Sequence, residues 1–183
     1  MEATIDKYGQ AASAVCNYIS THPVHFEESE ADIATLYKEF RAKYSPDILA
    51  GLRDEDVLRY IFLTADANNS SLCYHLEFNV KIKSFFGSIS GGSSFKFGLF
   101  QRQEDSKWMT GSAPHQEELS DEAALELGKH IRDCLVRGCE IIDAHYLASP
   151  SDYDALDDEL NSALGKYASY AWFQKYFHMM FPG

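Results

Sequence analysis

The chain has 183 residues, of which 45% are apolar and 24% charged, a composition typical of a globular protein. Its 16 Lys and Arg residues against 28 Asp and Glu residues give a formal net charge of −12. This excess of acid argues against non-specific nucleic-acid binding, because Lys and Arg supply that affinity by neutralising phosphates. The sequence contains no run of 18 apolar residues and predicts no membrane-spanning helix. Four scattered cysteines and no secretory signal indicate reduced thiols in a cytoplasmic protein.

The first third of the chain shows the apolar periodicity of amphipathic helices. We expect a helix over about residues 3–19, a helix over about 27–44, a short helix from Ser45-Pro46 to about Leu52 and a possible helix over 54–63. Residues 72–78 fit either a helix or a strand.

The middle of the chain, residues 84–111, indicates β structure. Phe95, Phe97 and Leu99 recur at every second position, which is the period of a strand. Glu104-Asp105-Ser106 predicts a turn, and Lys107–Thr110 predicts the returning strand of a hairpin. In such a strand Lys96 would point outward if its two Phe neighbours face the core.

The C-terminal part is predicted to be helical. Ser120 is placed to cap a long helix, and Ser149-Pro150 opens the next one. The segment Ser169–Phe181 is apolar most of the way round and indicates a buried helix with Trp172 or Phe173, and Phe177, in the core. The predicted fold class is therefore α+β, a mostly helical body with a small antiparallel sheet. We expect one domain over 1–183, with a helical lead-in (1–45), a mixed region (46–118) and a helical end (119–183).

No complete catalytic motif is present in the sequence. A P-loop and a G-x-S-x-G nucleophile elbow are both absent. His22 with His25, and His130 with Cys134, have the spacing of metal-ligand pairs, but neither has an obvious second pair. We therefore expect no catalytic residue, no metal site and no cofactor in this chain.

Charge is distributed unevenly around one unusual loop. Residues 78–103 contain four basic and no acidic residues, whereas 104–160 contain 4 basic and 15 acidic residues. Within the basic stretch lies the small-residue loop Ser88–Ser94, where Gly91 and Gly92 permit close approach of the backbone to a ligand. Its hydroxyl and backbone N–H groups have the chemistry to hold a phosphate. The alternatives are a flexible hairpin loop or a site of tight packing.

Three stretches resemble a known family. Residues 71–77 (SLCYHLE) and 87–100 (GSISGGSSFKFGLF) resemble the patterns S-F-C-Y-W-L-E and G-S-I-x-G-G-S-x-x-K-F-G-I-Y, and 172–182 resembles a K-Y-x-H-x-L-Y-P segment. These patterns belong to a domain at the front of McrB-like AAA+ proteins, the nucleotide-hydrolysing subunits of modification-dependent restriction systems. His75 stands where the pattern has Trp. The resemblance covers roughly residues 35–183 and implies an N-terminal domain cut from a longer protein, with a stand-alone protein as the alternative.

The resemblance implies a non-catalytic recognition module that binds DNA, with or without a methyl or other modification, and works with a motor module and a partner nuclease subunit. The implied DNA-binding residues are Lys83, Ser88, Gly91, Gly92, Ser93, Ser94 and Lys96. The implied base-stacking candidates are Tyr74, His75 and Phe86, around a base flipped out of the duplex. The acidic composition leaves an alternative open: a protein-interaction or sensor domain that recognises a partner subunit or a phage protein.

Overall fold

The computed structural model describes residues 13–18, 20–21, 30–63, 71–89, 94–112, 114–145 and 150–182. The chain divides into two compact units, Met1–Ile33 and Ala34–Gly183. In the first unit, residues 13–18 and 20–21 are helical and exposed, in agreement with part of the predicted first helix. His22 and His25 lie outside the described residues. The prediction of one domain over the whole chain stays a prediction.

The described elements are mainly helices, and three short strands lie in the middle of the chain between α5 and α6. The helices are α1 (Glu30–Tyr44), α2 (Pro46–Gly51), α3 (Glu55–Ile61), α4 (Leu72–Phe78), α5 (Val80–Phe86), α6 (Asp121–Ala144), α7 (Pro150–Leu164) and α8 (Ala171–Met180), with 3-10 helices at Ser94–Phe97 and Gly165–Ser169. The strands β1 (Leu99–Gln101), β2 (Trp108–Thr110) and β3 (Glu117–Leu119) form one antiparallel sheet in the order β1-β2-β3. The predicted mostly helical α+β fold is confirmed.

Side-chain caps explain where several helices begin. The Ser120 hydroxyl accepts a hydrogen bond from the backbone N–H of Ala123 at 3.2 Å and so begins α6 as predicted. Ser71 caps α4 in the same way, and the Asn79 side chain caps α5. The sequence of residues 72–78 fitted either a helix or a strand. In the fold these residues form a helix that begins at the Ser71 cap.

The β prediction over 84–111 is only partly right. Residues 84–86 belong to α5, and Ser94–Phe97 form a 3-10 helix instead of a strand. The hairpin itself is present, with Leu99 opposite Thr110 and Gln101 opposite Trp108. Strand β3 was not predicted, because its sequence, Glu117–Leu119, has too few residues to show a period.

The core lies where α8 meets the long helix α6. Trp172 and Phe173 are fully buried and Phe177 is 8% exposed, which confirms their predicted core positions. Gly138 of α6 faces the Phe177 ring so closely that a Cβ there would lie 2.7 Å from its Cε1 and closer still to its Cζ. The aromatic helix can pack on α6 only because this position lacks a side chain.

The contact between Gly138 and Phe177 predicts an effect on stability. Gly138→Ala should lower the free energy of unfolding by about 1–3 kcal/mol, because the added methyl group overpacks the core. The matched control is Gly51→Ala at the end of α2, where no atom lies within 4 Å of the added Cβ. Urea denaturation of both variants measures the difference. An unchanged midpoint for Gly138→Ala would show that the core yields to the methyl group.

Candidate functional site

A cleft with aromatic walls lies between α4 and the β1–β2 hairpin. Its volume is about 530 Å³. The lining residues are Tyr74, Phe78, Ser94, Lys96, Phe97, Phe100, Gln101, Arg102, Gln103 and Glu104. The cleft therefore joins two of the stretches that carry the resemblance, 71–77 and 87–100, and it borders the Gly/Ser loop at Ser94.

The aromatic residues of the cleft come from three elements. Tyr74 and Phe78 lie one turn apart on α4, with ring centroids 5.3 Å apart and planes at 42°. Phe78 is 50% exposed although it is a large apolar side chain, whereas Phe97 and Phe100 are buried. An exposed aromatic ring beside buried ones gives the cleft a surface on which a planar ligand can stack.

The polar lining of the cleft is held by bonds within the hairpin. The Gln101 amide donates to the carbonyl oxygen of Ser106 at 2.7 Å. The guanidinium of Arg102 donates to both carboxylate oxygens of Asp105 and lies 3.4 Å from a carboxylate oxygen of Glu118. The hydrogen bond from Arg102 lowers the pKa of Asp105 to about 2. Arg102 is thus neutralised within the hairpin.

The side chain of Lys96 makes a buried ion pair. Its Nζ lies 2.7 Å from a carboxylate oxygen of Glu77, and the two side chains are 9% and 8% exposed. Glu77 also accepts a hydrogen bond from the backbone N–H of Ile89, and Lys96 donates to the carbonyl oxygen of the same residue. The pair therefore fixes the backbone of Ile89, at the entrance to the Gly/Ser loop, from both sides.

A second lysine supports this arrangement from the C-terminal helix. Lys175 Nζ donates to the carbonyl oxygen of Leu76 at 2.7 Å and to that of Gly87 at 2.5 Å. Burial lowers the pKa of Lys175 by disfavouring its charged form. We call Glu77, Lys96 and Lys175 the charged clasp, because together they bond residues 87 and 89 to α4, the 3-10 helix and α8.

The predicted backbone-binding residues have different surroundings. The expectation that Lys96 points outward is wrong, because its position in a 3-10 helix turns the side chain inward to Glu77. Lys83 and Ser88 are exposed, and Ser94 is half-buried at the edge of the cleft. Gly91, Gly92 and Ser93 lie outside the described residues.

The three predicted stacking residues do not meet in one pocket. Tyr74 lines the aromatic cleft, whereas His75 lines a different cleft against α1, with its Nδ1 2.8 Å from the Tyr44 hydroxyl. Phe86 packs with Tyr37 and His178, with ring centroids 5.3 Å from each. Neighbouring helical residues point about 100° apart, so Tyr74 and His75 cannot share a face.

Some residues of the site were missed by sequence analysis. Phe78, Gln101 and Gln103 line the cleft, and Glu77 holds Lys96, yet none was a candidate. Once residues 72–78 are helical, the i, i+4 spacing of Tyr74 and Phe78 is the signal that would have paired them. No local pattern connects Glu77 to Lys96, because their separation in sequence is closed only by the tertiary fold.

Of the two candidate metal-ligand pairs, only His130 with Cys134 lies within the described residues. Cys134 Sγ lies 3.8 Å from His130 Nε2, and burial raises the pKa of this thiol. Within the described ranges, no group of three or more His, Cys, Asp or Glu side chains is placed to hold a metal ion. Among the same residues, no helix has both the length and the apolarity that a membrane span requires.

Comparison with family models, with curated proteins and with solved structures finds no match to this chain.

The charged clasp predicts that single substitutions in it are costly. Glu77→Gln leaves the buried Lys96 without its counter-charge, and we expect a loss of about 3–5 kcal/mol in the free energy of unfolding. The double variant Glu77→Met/Lys96→Met removes both charges and should be far closer to wild type, because apolar replacement of a whole buried pair is often neutral. Chemical denaturation measures both. Equal losses in the single and double variants would contradict a dominant role for the charges.

His75 predicts a pH dependence of stability. Burial, with Lys43 nearby, lowers its pKa below the model-peptide value of 6.5. The unfolded chain therefore binds a proton at His75 before the folded chain does, so stability should fall as the pH drops below about 6.5 and level off below the lowered pKa. We expect His75→Phe to show a smaller loss of stability between about pH 7 and pH 5. The control is His115→Gln at an exposed position, and identical pH profiles for wild type and His75→Phe would contradict the assignment.

Proposed function

We propose that this chain is a non-catalytic DNA-recognition module, of the kind found at the front of McrB-like restriction subunits. The proposal includes the cytoplasm as its compartment, and a motor module with a partner nuclease subunit as its associates. Nucleotide hydrolysis would belong to that motor module. The observation that carries the proposal is the aromatic cleft, because it combines stacking surface with amide groups beside the Gly/Ser loop.

The cleft suits a nucleobase by both shape and chemistry. A base stacked on Phe78 and Tyr74 would gain about 1–3 kcal/mol of stacking free energy. The side chains of Gln101 and Gln103 carry both donors and acceptors, which is what base edges require. A base in duplex DNA would first have to be flipped out, at a cost that a damaged or mismatched pair reduces.

Phosphate contacts in this proposal come from fewer residues than the sequence indicated. Lys81 and Lys83 of α5 and Ser88 are exposed, and the two lysines follow Phe78 within five residues of the chain. Lys96 and Arg102 are already paired with carboxylates. Electrostatic attraction to DNA is therefore weak and local, so selectivity has to come from the cleft.

A second candidate function is a protein-interaction or sensor domain. It is favoured by two large apolar side chains at the junction of α4 and α5, Phe78 (50% exposed) and Val80 (80% exposed). Exposed apolar residues that lie next to one another are typical of protein-binding surfaces. The neutralisation of two cations in the basic stretch favours the same interpretation.

Phe78→Ala tests the stacking role. We expect DNA affinity to fall about 5- to 150-fold, the equivalent of 1–3 kcal/mol, with little change in thermal midpoint because half of the ring is exposed. Binding is measured by fluorescence anisotropy on duplexes with and without methylated cytosine or adenine. The control is Tyr153→Ala, which removes a similarly exposed ring from α7.

A salt titration of Lys83→Ala distinguishes contacts to the DNA phosphates from recognition of the base. Loss of one phosphate contact should reduce the salt slope by about one unit without changing the preferred base. No DNA binding by folded wild-type protein at low salt would refute DNA recognition and favour the protein-interaction candidate.

A further inference from the structure

A second cleft lies between α3 and the start of α6, with one wall from the central strand β2. Its volume is about 480 Å³. The lining residues are Glu55, Asp56, Leu58, Arg59, Leu63, Trp108, Asp121, Glu122 and Leu125. We call it the acidic cleft. It shares no lining residue with the aromatic cleft, so the two can be tested independently.

The apolar lining of the acidic cleft comes from four side chains. Leu58 and Trp108 are 6% and 7% exposed, and Leu63 and Leu125 are half-buried. These residues also contribute to the core or pack against it, which fixes their positions. A partner side chain with aliphatic carbon would therefore meet a preformed apolar surface.

The rim of the acidic cleft is strongly anionic. Glu55 and Asp56 lie in the first turn of α3, and Asp121 and Glu122 lie in the first turn of α6. In those positions each pair is favoured by the dipole of its own helix. Among the described residues of the lining, the one cation is Arg59, which is paired with Asp56 at 3.2 Å and is largely exposed. The first turns of α3 and α6 both lie at this cleft. Their carboxylates therefore line it together with the apolar side chains.

We infer that the acidic cleft binds a cationic, leucine-type peptide segment of a partner protein. Leucine side chains match the apolar lining, and Lys or Arg side chains match the carboxylates of the rim. The formal net charge of −12 attracts the same segment at longer range and raises its association rate. Nucleic acid is repelled by this rim, and a second copy of the chain, itself at −12, is repelled as a whole.

The test uses a short fluorescein-labelled peptide of alternating leucine and lysine, with fluorescence anisotropy as the readout. We expect Asp121→Asn/Glu122→Gln to weaken binding about 2- to 30-fold, since exposed ion pairs contribute about 0.2–1 kcal/mol each. The matched control is Asp157→Asn/Asp158→Asn, which removes the same charge from the exposed side of α7. Equal losses in the two variants would overturn the proposal, because diffuse attraction would then explain binding.

Three further measurements isolate the apolar lining, the choice of partner and the independence of the two clefts. A peptide with serine in place of leucine should bind at least tenfold more weakly, and equal affinity would overturn the apolar component. Sedimentation velocity of the protein alone should show no dimer that depends on Asp121 and Glu122. Such a dimer would instead assign the cleft to a second copy. Phe78→Ala should bind the leucine-lysine peptide like wild type, so failure of the DNA proposal leaves this result unaffected.

Discussion

The buried ion pair between Glu77 and Lys96 is the interaction on which the geometry of the candidate site depends. Removing two charges from water is costly, and the cost is offset only where the remaining polar groups are also bonded. Here they are, since Ile89 supplies both a donor and an acceptor to the pair. Lys175 adds bonds to Leu76 and Gly87. The start of the Gly/Ser loop is therefore fixed from α4, the 3-10 helix and α8, which are distant in sequence.

The clasp also changes how the charge of the surface should be interpreted. The sequence shows four cations without an acid over residues 78–103, which looks like an anion-binding surface. In the fold, Lys96 is buried against Glu77, and Arg102 is paired within the hairpin. Only Lys81 and Lys83 remain exposed cations of that stretch. These two lysines form a small basic surface on a protein that is acidic overall. An anionic ligand would be attracted to this surface, and a cationic ligand to the acidic surfaces.

Helices were predictable from sequence where an apolar stripe and a cap agree. Ser120 and the stripe that follows it define α6, and the aromatic run of α8 could only be buried. The strand predicted around Lys96 was wrong, because alternation over three or four residues fits a strand and a 3-10 helix equally well. The candidate site was predicted in part: Tyr74 and Ser94 were identified, but Phe78 and Glu77 acquire their roles only through tertiary contacts.

Trp172 connects the core to both clefts. Its ring centroid lies 5.6 Å from that of Phe97, which lines the aromatic cleft, and 6.4 Å from that of Phe62, which precedes Leu63 of the acidic cleft. Its Nε1–H is buried without a hydrogen-bond partner among the described residues, and burial of an unpaired polar group generally costs about 1–3 kcal/mol. Protein cores are packed as densely as organic crystals. Close packing of the Trp172 ring in such a core offsets the cost of the unpaired N–H. Trp172 therefore packs directly against Phe97 of the aromatic cleft, and it is linked to the acidic cleft through Phe62, the chain neighbour of Leu63.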